Sequence, residues 1–213
     1  MQHIVDFILH IDKYLALIID QFGVFTYVIL FLVIFVETGL VIMPFLPGDS
    51  LLFVAGTLAG SGYMNIIALY LTFLVAAVLG DTCNYWLGHY FGPKVFKEKS
   101  RFLNQAHLKK TQAFFEKYGG KTIILARFVP IVRTFAPFVA GVGSMNYRDF
   151  LLYNIVGGFV WVTLFTFGGY FLGSLPIIQE NFHLAIVVII GVSLLPPLYE
   201  IIQSKREKKD THS

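Results

Sequence analysis

"VILFLVIFVETGLVIMPFLPGDSLLFVAG", residues Val28 to Gly56, decides how the chain folds. It is apolar enough for a lipid bilayer, yet it holds two carboxylates, Glu37 and Asp49, and two helix breakers, Pro44 and Pro47. Non-helical backbone at membrane depth is tolerated only where protein buries it or where it lines a watery cavity. The acids and prolines are therefore read as belonging where a re-entrant segment meets another around a polar pocket.

The whole chain fits that environment. Of its 213 residues 56% are hydrophobic and 14% charged, and the mean hydropathy is +0.71. A soluble domain of this length needs a larger polar surface, so the expected class is an all-α integral membrane protein of one domain, residues 1–213. The net charge of +3 is modest and its basic residues lie outside the apolar runs, which gives no reason to expect a nucleic-acid partner. Cys83 is the only cysteine, so there is no disulfide framework and no cysteine metal site. The six histidines lack metal-ligand spacing. No P-loop, GxSxG or Ser/His/Asp arrangement is present, so the chain is not read as an enzyme and no cofactor is expected.

Four segments are long enough to cross a bilayer: roughly 22–42, 66–92, 149–173 and 182–203. Stretches 44–62 and 122–145 are broken by Pro, Gly and charge and read as re-entrant hairpins. Residues 1–23 read as an amphipathic helix lying at the membrane interface or packed on the bundle. The loop 93–121 carries eight basic against two acidic residues, and the tail 204–213 contains "SKREKKD". Both belong in the cytoplasm under the positive-inside rule, and the crossing count then places both termini there.

A repeat lies in this order. "FVAG" occurs at Phe53–Gly56 and at Phe138–Gly141, each followed by Met-Asn and then by a helix ending in "GHYFG" or "GGYFLG". Those endings supply the pairs Gly88/Gly92 and Gly169/Gly173, suited to close helix packing. The repeat units, roughly 37–92 and 122–173, come out inverted by the crossing count, as in transporters whose broken helices meet near the midplane.

The second hairpin, "LARFVPIVRTFAPFVAG", brings Arg127 and Arg133 with Pro130 and Pro137. Four charges at the bilayer centre would cost on the order of 10 kcal/mol facing lipid. They must pair or face a cavity, so Glu37, Asp49, Arg127 and Arg133 are read as one pocket, shaped by Pro44, Pro47, Gly48, Pro130 and Pro137. Asp81 reads equally as pocket lining, as part of a proton relay, or as a helix–helix contact. Asn154 and Trp161 read as packing residues on an apolar helix.

"ETGLVIMPFLPGDSLLFVAG", "GDTCNYWLGHYFG", "KYGGKTIILARFVPIVRTFAPFVAG" and "YNIVGGFVWV" together resemble the DedA family of bacterial inner-membrane proteins, which carry the VTT (SNARE-associated) domain. His89 departs from the family, which usually has Arg there. The resemblance implies a bacterial inner-membrane protein, similar to eukaryotic lipid scramblases and linked to moving polyprenyl phosphate or phospholipid between leaflets and to the proton motive force. It also implies required acid and arginine pairs, which match Glu37, Asp49, Arg127 and Arg133. The expectation is a translocase for undecaprenyl phosphate or a related anionic lipid. Arg127 and Arg133 would hold the phosphate, and Glu37, Asp49 and Asp81 would carry protons or gate. The expected partners are that lipid and protons, with a homo-oligomer left open. A proton-coupled antiporter of cations or small drugs and a non-transporting membrane scaffold are the alternatives.

Overall fold

The computed structural model describes residues 23–40, 48–97 and 105–176. The expected N-terminal amphipathic helix, the span at 182–203, the basic tail, Pro44 and Pro47 lie outside these residues. Every regular element described is helical: α1 Phe25–Gly39, α2 Gly48–Gly60, α3 Ile66–Lys97, α4 Gln105–Tyr118, α5 Thr122–Ala126, α6 Pro130–Val139 and α7 Tyr147–Gly173, with a π-helical turn Ala140–Ser144 after α6. Among the described residues, two stretches are apolar and long enough to cross a membrane, Ile66–Gly92 and Tyr147–Gly173. Each starts from an asparagine that caps its first turn. The Asn65 side chain accepts from the amides of Ile67 and Ala68, and that of Asn146 accepts from Asp149.

Two expectations are corrected. The first span, expected over 22–42, is a helix of only 15 residues. At 1.5 Å per residue it reaches about 22 Å, short of the ~30 Å hydrocarbon core. The polar loop 93–121 is largely helical: α3 continues to Lys97 and α4 fills Gln105–Tyr118. Phe115 of α4 packs against Phe135, Phe138 and Val139 of α6.

Side-chain pairings fix the helix directions. Tyr27 meets Asn65 and Thr38 meets Asn84, so α1 runs parallel to α3. Along α3 and α7, Tyr70 meets Thr163, Val78 meets Asn154 and Tyr85 meets Phe150, so these two long helices are antiparallel. Asp49 meets Trp161, while Gly60 and Ser61 meet Tyr170 and Gly173, so α2 runs with α7 and against α1. Thr134 meets Asn84 and Phe138 meets Gly88, so α6 runs with α3. Gly120 meets Tyr153 and Ile124 meets Gly157, so α5 runs with α7.

The glycines of the two "FVAG" copies make the closest contacts, and they exchange partners. A Cβ on Gly56 would collide with the Thr166 carbonyl oxygen, and one on Gly169 with that of Phe53. In the other half, a Cβ on Gly141 would collide with the Tyr85 carbonyl oxygen, and one on Gly88 with that of Phe138. Each "FVAG" segment thus packs on the long helix that follows the other copy. The GxxxG faces are used inside the fold, where small residues let backbones approach. The link from "FVAG" to its Met-Asn is four residues shorter in the second copy. There the chain turns through the π segment, with Gly143 at φ 129°, a conformation that favours glycine.

Candidate functional site

The polar residues converge near the middle of α3 and α7, beside Asp81 and Trp161. At the start of α2 the Gly48 amide donates to Glu37 Oε1 at 3.1 Å. A helix N-terminus favours an anion there. A Cβ on Gly48 would collide with Glu37 Oε2, so glycine is what lets the carboxylate lie against the backbone. Asp49, one residue on, meets Arg133 and Trp161.

The second broken segment brings the bases. Val129 is extended, and Pro130 opens α6 at a position where a missing amide costs nothing. Pro137 inside α6 removes the amide that would bond back to the Arg133 carbonyl. Arg133 forks between the two acids of the other segment: its Nη2 pairs with Glu37 Oε1, and its Nη1 donates to Asp49 Oδ1 at 2.7 Å. The Arg133 side chain is 18% exposed and that of Asp49 31%, whereas Glu37 is 3% exposed.

Arg127 turns elsewhere. Its Nη2 donates to Asp81 Oδ2 at 2.6 Å and to Asn154 Oδ1 at 2.6 Å, all three residues being buried. Asn154 is held in turn by donating to the Val78 carbonyl at 3.0 Å. Asn84 ties three segments together, donating to the carbonyls of Thr134 and Thr38. Trp161 stands between the two ion-paired groups. Its ring centroid is 5.7 Å from each guanidinium carbon, and its indole N–H donates to Asp49 Oδ1 at 2.8 Å. A cleft enclosing about 380 Å³ of empty space, open mouth included, is bordered by Glu37, Asp81, Arg127, Arg133, Pro137 and Trp161. Two buried charged-group atoms beside it, Glu37 Oε2 and Arg127 Nε, have no hydrogen-bond partner among the described residues.

The four charges singled out in the sequence therefore sit in one region, but they do not form one four-way cluster. Arg133 takes Glu37 and Asp49, and Arg127 takes Asp81. Trp161 and Asn154, read from sequence as packing residues, are hydrogen-bonded members of the site. Their signal was polarity on an otherwise apolar helix, and only the facing elements reveal what they meet.

Residues 46–171 match the VTT domain. Protein DedA of Escherichia coli K12 is 55% identical over 206 residues, covering 95% of this chain and 94% of that protein. The chain belongs to the DedA family. An uncharacterized membrane protein of Mycobacterium tuberculosis is 48% identical, with 84% and 80% of the two chains covered. The inner membrane protein YqjA of E. coli K12 is 33% identical, with 79% and 78% covered. No solved structure matches this DedA-family chain. It is a membrane protein, and the apolar helices α3 and α7 are its candidate spans.

Proposed function

We propose that this chain is a lipid translocase of the bacterial inner membrane, moving the anionic headgroup of undecaprenyl phosphate or a related phospholipid between leaflets. The observation that carries this reading is Arg133, a guanidinium near mid-span, open to a cleft and held by two acids. Guanidinium binds phosphate oxygens through two parallel bonds. A headgroup that takes Arg133 must displace Glu37 and Asp49, and a proton on either acid weakens its hold. Lipid and proton break the same Arg133 ion pairs, one by taking the guanidinium and the other by neutralising an acid, so each favours the other and the two are coupled. The acyl or prenyl tail stays in the bilayer while the headgroup passes between the hairpins.

The architecture behind this reading is an inverted repeat. α1 and α2 form one re-entrant hairpin ahead of α3, and α5 and α6 form another ahead of α7. The antiparallel long helices and the exchanged glycine contacts support it. Glu37, Asp49, Arg127 and Arg133 then sit near mid-depth, with the basic segments and both termini in the cytoplasm.

The site holds three acids, Glu37, Asp49 and Asp81, against Arg127 and Arg133. One proton balances the surplus carboxylate. The same surplus favours a second reading, a proton-coupled antiporter that takes a cation in place of that proton. Reconstitution into liposomes separates the two. Flipping of labelled polyprenyl phosphate is expected, and cation–proton exchange without lipid flipping replaces the first reading with the second. In the same vesicles Glu37→Gln is expected to abolish gradient-driven transport while passive flipping remains. Full gradient-driven activity in that variant removes Glu37 from the proton path.

A further inference from the structure

We propose that Trp161 is a positioning residue that eases the release of Arg133 from Asp49, and so sets how readily the site takes a phosphate. This rests on the phosphate reading above. Two donors converge on one oxygen: Arg133 Nη1 at 2.7 Å and the Trp161 indole N–H at 2.8 Å both point to Asp49 Oδ1. Two hydrogen bonds on the same oxygen are each worth less than either alone, because each draws on the same charge. The indole bond therefore strengthens as Arg133 leaves, and Asp49 keeps a charge-assisted partner throughout.

Glu37 has no such substitute. It is 3% exposed, its Oε1 shares Arg133 with the Gly48 amide, and its Oε2 has no partner. The two hairpin acids thus answer differently when Arg133 swings away. Asp49 stays bonded to α7 and part-exposed, and Glu37 is left with one backbone amide. Around them stand Arg133 on α6, Asp81 on α3 and Arg127 at the end of α5, the last two paired with each other. The Trp161 ring faces both guanidinium groups and is 1% exposed, so it keeps one position while Arg133 changes partner. Packing alone accounts for a buried indole, but not for its N–H meeting the same oxygen that holds the arginine.

The test uses the full-length chain in lipid nanodiscs, titrated calorimetrically with farnesyl phosphate and, as the uncharged control, farnesol. The wild-type chain is expected to bind the phosphate and not the alcohol. Absence of that difference removes the phosphate reading, and this inference with it. Where the difference is present, Trp161→Phe keeps a ring and loses only the donor. It is expected to weaken farnesyl phosphate binding by about three- to tenfold. In an Asp49→Ala background the same substitution is expected to change nothing further, since the oxygen it served is gone. An equal loss in both backgrounds makes Trp161 a packing residue and overturns the proposal, as does unchanged affinity in Trp161→Phe. If Trp161→Phe does not fold, the indole ¹⁵N–H resonance decides, read in a Trp86→Phe background. It is expected to move on Asp49→Ala and again on adding farnesyl phosphate, and a resonance that moves with neither overturns the proposal.

Discussion

Arg127 and Arg133 carry the same charge three residues either side of Pro130, yet they have different surroundings and different consequences. Arg127, Asp81 and Asn154 form a buried group in which each charge depends on the other. Removing one partner of a buried ion pair leaves an uncompensated charge and costs about 3–5 kcal/mol, whereas replacing both by apolar residues of similar volume is often neutral. Asp81→Leu is therefore expected to destabilise the protein by about that amount in denaturant unfolding, and Asp81→Leu with Arg127→Met to recover most of it. Arg133 is part-exposed and bonds two acids through separate nitrogens. Arg133→Lys keeps the charge but not the fork, so it is expected to keep its melting temperature and lose most of its lipid flipping in liposomes. Full flipping by that variant would leave Arg133 a counter-ion only.

Elements meet through the glycines. Gly88 and Gly169 lie against the carbonyls of Phe138 and Phe53, where a side chain forces two backbones apart. Gly88→Val and Gly169→Val are each expected to destabilise by about 1–3 kcal/mol, as overpacking does, and by similar amounts because the contacts correspond. A loss at one site and none at the other, read from thermal melts, would make the correspondence superficial. The breaks in the segment 122–145 were legible in sequence because proline leaves little choice: Pro130 starts a helix and Pro137 removes a bond within it. Helix α4 was not legible, because its lysines mark it as polar loop. What makes it a helix is Phe115 finding an apolar partner on α6, a contact distant in sequence.

Across the whole molecule, the basic segments set the expected orientation. In a Cys83→Ala background, Lys109→Cys and Lys208→Cys are expected to resist membrane-impermeant maleimide in intact cells and to react in inverted vesicles. Labelling of either from outside would overturn the proposed orientation. Membrane class, the two long apolar helices and the repeated "FVAG" were determined by the sequence itself, since hydropathy, helix length and local identity need no knowledge of neighbours. The meeting of acid and base was also foreshadowed there, because charges in an apolar chain must find partners. Which acid takes which arginine was decided only by the tertiary structure. Arg133 reaches Glu37 and Asp49 because α6 lies along α3 and the α2 start faces it, while α5 lies along α7 and turns Arg127 to Asn154 and Asp81. Trp161 became part of the site by the same route. A side chain's pairing depends on what the packing of distant segments places within about 3 Å of it, and composition and spacing carry no record of that distance.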